Sequence, residues 1–296
     1  MTVLLQVMTL FMLMLCGLSA AKTKLLGDPG LKGLNTLVLY FAQPALILHR
    51  LQTPASPELI VEIIWVFVLA CATIGVAGAI SFRLFAKEEH QRRAVLTSLS
   101  MLSNCGFMGF PIITATMGDS ALIYAVVFLA AFNLMAWTLG AYFFGGAKAM
   151  QPLRLLTNPT IWSIVMGLTL FFTGWTLPGF LNDALNMLGG TTTPLTMFVI
   201  GARLITLRPA HLKDKQLLIS CALRLLIFPA LILLLRLTPL SPMVVSSVYL
   251  CTAMPGAAMT AMQSELYDSD KELASRGVAL STALSMATVP LMLLLV

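Results

Sequence analysis

Apolar residues run on for about twenty positions at a time along this chain, with short polar connectors between the runs. An α-helix needs roughly 20 mostly apolar residues to cross the hydrocarbon of a bilayer. Ten such runs are read, at 2–20, 34–50, 58–82, 95–117, 120–146, 158–175, 184–205, 216–236, 242–265 and 274–296. They are too long and continuous for barrel strands, which alternate in apolarity over about ten residues. The expected fold is therefore an all-α membrane protein with ten transmembrane helices. Pro159 near the start of the sixth run suits a first helical turn.

Two of the runs carry breakers. The fourth reads Leu102-Ser103-Asn104-Cys105-Gly106-Phe107-Met108-Gly109-Phe110-Pro111, and the ninth holds Ala253-Met254-Pro255-Gly256-Ala257-Ala258. Glycine loosens a helix, and proline removes an N–H while clashing with the carbonyl four residues back. Both spans are expected to break, and both stand fourth in their half of the chain. Short echoes also relate the halves. Pro29-Gly30, Leu34-Asn35, Pro44 and Arg50-Leu51 are followed later by Pro178-Gly179, Leu185-Asn186, Pro194 and Arg203-Leu204. Five spans per half turn the second copy upside down, the inverted-repeat plan of many secondary carriers. Matching broken helices are then the best sequence pointer to a midplane binding site. Free N–H groups and the positive dipole ends at such breaks favour an anion, above all a carboxylate.

The polar connectors set the orientation. Fifteen of the eighteen Lys and Arg fall in alternate loops: Lys22, Lys24, Lys32; Arg83, Lys87, Arg92, Arg93; Lys148, Arg154; Arg203, Arg208, Lys213, Lys215; Lys271, Arg276. Only Arg50 and Arg236 belong to the other side, and Arg224 lies within the eighth run. Positive loops stay in the cytoplasm, so both termini are expected outside a cell (inner) membrane. Met1 to Ala21 ends like a signal peptide, but the first positive charges follow the run, which favours a retained span.

Composition agrees. The chain has 296 residues, 58% hydrophobic and 10% charged, against about 45–50% and about 25% in soluble domains. The net charge of +6 is dispersed over loops, so it is read as a topology signal, and no nucleic-acid partner is expected. The five cysteines lie in apolar runs with no CxxC pair and are read as reduced packing residues. His49, His90 and His211 are far apart, and no HExxH, GxSxG or P-loop pattern occurs. No enzyme activity, catalytic group, metal or cofactor is expected.

The candidate site residues are Asn104, Gly106, Gly109, Pro111, Pro255 and Gly256 around the breaks, with Gln263 beside the second. Asn104 can donate and accept hydrogen bonds; a helix–helix contact competes with a site role, and the site role is preferred. Gln43 flanks a kinked segment and is a candidate cavity residue. Arg224 leaves two readings open, snorkelling to the cytoplasmic surface or pairing with an anion. Glu62 and Glu265, near span ends, are read as interfacial.

Several of these residues carry a resemblance. Leu34-Asn35 with Tyr40-Phe41-Ala42-Gln43-Pro44-Ala45-Leu46, and Ser103 to Pro111 followed by Met117-Gly118-Asp119, resemble the auxin efflux carrier family. Asn158-Pro159, Gly201, Ala253-Met254-Pro255 and Leu280-Ser281-Thr282-Ala283-Leu284-Ser285 are similar to it as well, so the likeness covers the whole chain in order. Lacking a long loop between the halves, the chain looks like a short bacterial member rather than a long plant PIN-type carrier. The resemblance implies two inverted five-helix repeats with crossing broken helices four and nine, as in bile-acid/sodium symporters. It implies a scaffold from 1–52 and 151–210 and a mobile transport domain from 53–150 and 211–296. It also implies that Asn104 contacts a substrate carboxylate such as malonate, malate or an auxin-like acid. Proton and sodium are the candidate coupling ions, carriers of this general fold are often homodimers, and the lipid bilayer is the surrounding partner. Where many relatives carry Asn or Pro after the ninth-span proline, this chain has Met259 and Thr260, and the third span lacks a midmembrane acid. The competing function is a non-transporting sensor or assembly subunit on the same fold.

Overall fold

Proline opens helices here as often as it breaks them. Pro29, Pro57, Pro159 and Pro242 each sit in a first turn, where the missing N–H had no intrahelical partner. Side-chain caps complete starts of this kind, Ser56 on the Leu59 N–H and Asn158 on Thr160 among them, and two others, Asp214 on Leu217 and Asp270 on Leu273. The computed structural model describes residues 3–52, 55–207 and 213–295; Arg208 and His211 lie outside the described residues.

The helices are α1 (Val3–Lys22), α2 (Asp28–Arg50), α3 (Pro57–Leu84), α4a (His90–Met101), α4b (Cys105–Met117), α5 (Asp119–Gly145) and α6 (Pro159–Thr173). They continue as α7a (Gly179–Gly190), α7b (Thr192–Arg203), α8 (Lys215–Leu237), α9a (Pro242–Ala253), α9b (Met259–Leu266) and α10 (Lys271–Leu293). Among the described residues there is no strand, only one isolated antiparallel bridge between Ser103 and Gly256.

Five of these helices, α2, α3, α5, α8 and α10, are long and apolar enough to cross a membrane. A sixth arises if Ala147–Thr157 and α6, bent by 59°, count as one span. The remaining predicted spans are shorter or interrupted, since the fourth and ninth stop at their glycine–proline clusters. Two boundaries also move outward: α2 begins at Asp28 rather than 34, and α7a at Gly179 rather than 184. Both extensions are single turns of mixed polarity next to Pro29 and Pro178, too short to register in a reading by apolarity.

Three prolines inside helices share a local signature, which Pro290 within α10 lacks. Pro44, Pro111 and Pro229 each follow a π turn, at Val38–Ala42, Cys105–Gly109 and Leu223–Ile227. A π turn carries one extra residue and shifts the hydrogen-bond register where the proline nitrogen cannot donate.

Packing sorts the helices into two groups. α1 crosses α7b so closely that a Cβ on Gly17 would lie 1.9 Å from the Phe198 carbonyl oxygen, and one on Gly201 equally near that of Met14. Small residues at such crossings let backbones touch. In the same group α2 packs on α6 and α7a, with Gly189 against the Leu46 backbone. In the other group α3 packs on α4a, α5 and α9a, while α8 and α10 close around α4a. One apolar cluster runs from α3, α5 and α9a across to Ile47 of α2 and Phe171 of α6, and a second gathers around Leu99 between α4a, α8 and α10.

Outward, large apolar side chains stay exposed around the perimeter, among them Val61, Trp65, Val68, Trp162, Met166, Leu231 and Leu234. Cys16 joins this outer face, whereas Cys105, Cys221 and Cys251 are buried in packing positions. An apolar belt of this kind fits lipid and not water.

Candidate functional site

The two broken helices meet at their breaks. The Asn104 N–H donates to the Pro255 carbonyl at 2.8 Å, and the Ala257 N–H donates to the Leu102 carbonyl at 2.9 Å. This two-rung antiparallel pairing joins segments 150 residues apart and satisfies backbone groups that the breaks would otherwise leave bare. Leu99 of α4a wedges the crossing in place, since a Cβ on Gly256 would fall 2.3 Å from its Cδ1 and one on Gly277 2.6 Å from its Cδ2. The Gly256 N–H donates to Ser281 Oγ of α10 at 3.1 Å.

A cavity of about 430 Å³ ends on this crossing, within the range of small-ligand sites. Its inner wall is formed by Ser103, Asn104, Gly106 and Phe107 at the start of α4b and by Ala257, Ala258 and Met259 at the start of α9b. Both helix starts present positive dipole ends to it. Gln43, Asn133 and Asn158 line its side, and Lys32, Arg203 and Glu265 line its far end. Lys32 lies eleven residues before Gln43 on α2, about 16 Å of helical rise, so the cavity is a deep vestibule with two cations and one carboxylate at its mouth.

Asn104 is the polar group at the floor. Its carbonyl accepts the Met108 and Gly109 N–H groups at 3.1 and 3.2 Å, which fixes its backbone on the first turn of α4b. Among the described residues its side-chain amide has no hydrogen-bond partner, and the residue is 9% exposed. A buried amide without a protein partner, facing a cavity, retains its full donor and acceptor capacity for a ligand.

The other sequence candidates divide clearly. Gln43 and Gly106 line the cavity beside Asn104, and a Cβ on Gly106 would press to 2.8 Å from Gln43 Nε2. Gly109, Pro111, Pro255 and Gly256 lie behind the wall and shape the crossing. Gln263 is fully buried and outside the cavity, donating to the Ala136 carbonyl at 2.6 Å and accepting from Ser98 Oγ. Met259 lines the wall, while Thr260 is turned away onto Ser98 Oγ at 3.0 Å.

Arg224 corrects the snorkelling reading. It is 2% exposed, and its guanidinium points inward to the carbonyls of Ser100 and Met101, at 3.1 and 3.0 Å, and of Thr252. Its hydrogen bonds run to backbone rather than into the cavity. Glu62 is likewise engaged, accepting from the Tyr124 hydroxyl.

Asn133 was missed from the sequence. Its Oδ1 accepts from Asn158 Nδ2 at 3.0 Å, so an amide pair bridges α5 and α6 along the cavity wall. The available signal was a lone amide within the apolar run Leu122–Met135.

The sequence model of a family described as membrane transport protein matches residues 2–151 and again 143–293. The chain belongs to that family, the auxin efflux carriers it resembles. Among its relatives, an uncharacterized transporter of Methanocaldococcus jannaschii is 26% identical over 96% of each chain. An uncharacterized transporter of Methanothermobacter thermautotrophicus is 28% identical over 96% of this chain and 95% of its own. The vestibule and the paired breaks therefore belong to a membrane transporter with several membrane-crossing helices.

Proposed function

We propose that this transporter is a secondary carrier for a small organic anion, with a carboxylate seated between the starts of α4b and α9b and hydrogen-bonded by Asn104. The observation that carries the reading is the unpartnered Asn104 amide at the floor of a cavity closed by two helix starts. Two positive dipole ends and an amide donor suit a carboxylate, and the cations Lys32 and Arg203 at the mouth favour entry of an anion. Malonate, malate or an auxin-like acid fits a space of about 430 Å³.

In this reading ten helices cross an inner membrane as two inverted halves, with both termini outside. The vestibule then opens to the cytoplasm, because Lys32 and Arg203 belong to the positively charged loops. Residues 1–52 and 151–210 act as scaffold, and 53–150 with 211–296 rock against them to expose the crossing to each side. A counterflow screen in proteoliposomes with mono- and dicarboxylates and indole acids, at varied pH, tests the proposal. Exchange of a labelled carboxylate is the expected result. Binding without any exchange would replace the carrier by a sensor or assembly subunit.

A further inference from the structure

The crossing has a second pole that the anion reading does not use. α4a and α9a both end at it, and their last carbonyls lack intrahelical partners. These are the negative dipole ends. In broken-helix carriers, half-helix C-terminal ends and unwound carbonyls are where a coupling sodium ion or proton is held.

Here a side chain occupies that position. The π turn Leu223–Ile227, set before Pro229, directs Arg224 into the crossing. Nη1 donates to the Ser100 and Met101 carbonyls at the end of α4a, and Nη2 to the Thr252 carbonyl at the end of α9a. One guanidinium thus joins both negative ends. No carboxylate forms an ion pair with Arg224 among the described residues, so carbonyl dipoles alone balance its charge. An intramembrane cation is costly without such partners. α8 is also tied to α4a by the Ser100–Ser220 hydroxyl pair at 2.8 Å and by Ser220 Oγ donating to the Leu96 carbonyl at 3.0 Å.

We propose that Arg224 is a resident counter-cation: its guanidinium fills the carbonyl-lined place, and supplies the charge, that a mobile sodium ion would otherwise bring to the crossing. The transporter then stabilises its two broken helices without sodium and carries its substrate with no sodium bound at this position. The inference rests on the carrier reading of the paired breaks, with the anion at the positive ends and Arg224 at the negative ones. A guanidinium stays protonated, so this position passes no coupling proton either.

Thermal unfolding of the full-length protein in detergent tests it without any substrate. Choline chloride is replaced stepwise by sodium chloride at constant ionic strength, for the wild type and for Arg224→Ala, Arg224→Met and Arg224→Lys. The wild-type midpoint is expected to stay constant. Arg224→Ala and Arg224→Met should both fall by several degrees, Arg224→Lys by less, and sodium or low guanidinium chloride should raise Arg224→Ala saturably. A saturable sodium-induced rise in the wild type would overturn the proposal, as would an Arg224→Met midpoint equal to the wild type, since Met fills space without charge. Should the neutral variants not fold, the wild-type sodium series and the Arg224→Lys variant still decide. Because no readout involves transport, a failed carboxylate counterflow would count against the proposed function alone.

Discussion

At the scale of single residues, the site depends on which polar groups are already committed to the protein. The Gln263 amide and the two terminal nitrogens of Arg224 are engaged by neighbours, while among the described residues the Asn104 amide has no partner. Asn104→Ala is therefore expected to cut carboxylate counterflow by about tenfold to a hundredfold, the value of one hydrogen bond to a charged group at about 1.5–3 kcal/mol. Its thermal midpoint should stay near the wild type. Unchanged counterflow in that variant would remove the residue from the site. Asn133 behaves differently, because it accepts from Asn158 and donates to the Leu129 carbonyl at 2.8 Å. Asn133→Leu should destabilise by about 1–3 kcal/mol by stranding the Asn158 amide, seen as a lower midpoint.

At the scale of elements, close backbone contact and local breaks govern the architecture. The α1–α7b crossing leaves no room at Gly201, where even a methyl would meet the Met14 backbone. Gly201→Ala is expected to cost about 1–3 kcal/mol, the usual penalty of overpacking. Gly190 at the end of α7a has nothing near its missing Cβ, so Gly190→Ala serves as a control with an unchanged or slightly higher midpoint. Equal effects at the two positions would contradict the packing. The helix breaks were legible because Gly106, Gly109, Pro111, Pro255 and Gly256 act through local backbone chemistry. The π turns before Pro44 and Pro229 were not, because a register shift leaves no mark on apolarity.

At the scale of the whole molecule, a charged network fastens one end of the helices. Arg92 donates to both Asp214 carboxylate oxygens at 2.6 and 2.7 Å and to Glu88 at 2.8 Å, tying the first turn of α4a to the connector before α8. Burial works against ionisation of Asp214, but the Arg92 hydrogen bonds and charge and the Leu217 N–H hold its carboxyl below the usual range. A depressed folded-state pKa contributes stability above the unfolded value, near 3.9, and loses it as pH falls through the folded one. The midpoint advantage of wild type over Asp214→Asn, which keeps the helix cap, should thus shrink as pH falls below about 4. A constant advantage down to the lowest pH would exclude the ion pair as its source. Orientation is checked at the same scale with an impermeant maleimide on cells lacking Cys16. Leu237→Cys, at the exposed end of α8, should label in intact cells and Leu25→Cys only after permeabilisation. The reverse pattern would invert the topology.

The sequence by itself determined the all-helical membrane class, the places where helices break and the family, because each rests on local apolarity, backbone chemistry or a linear motif. Tertiary structure alone decided what those breaks do. Ser103 and Gly256 pair only because the two broken helices cross, and Asn133 meets Asn158 along the cavity only because α5 and α6 lie side by side. Arg224, read along the chain, was a long side chain two turns from a helix end, with the surface within reach. Folding supplied three backbone carbonyls from two other helices, and for a cation in an apolar interior such partners decide its position.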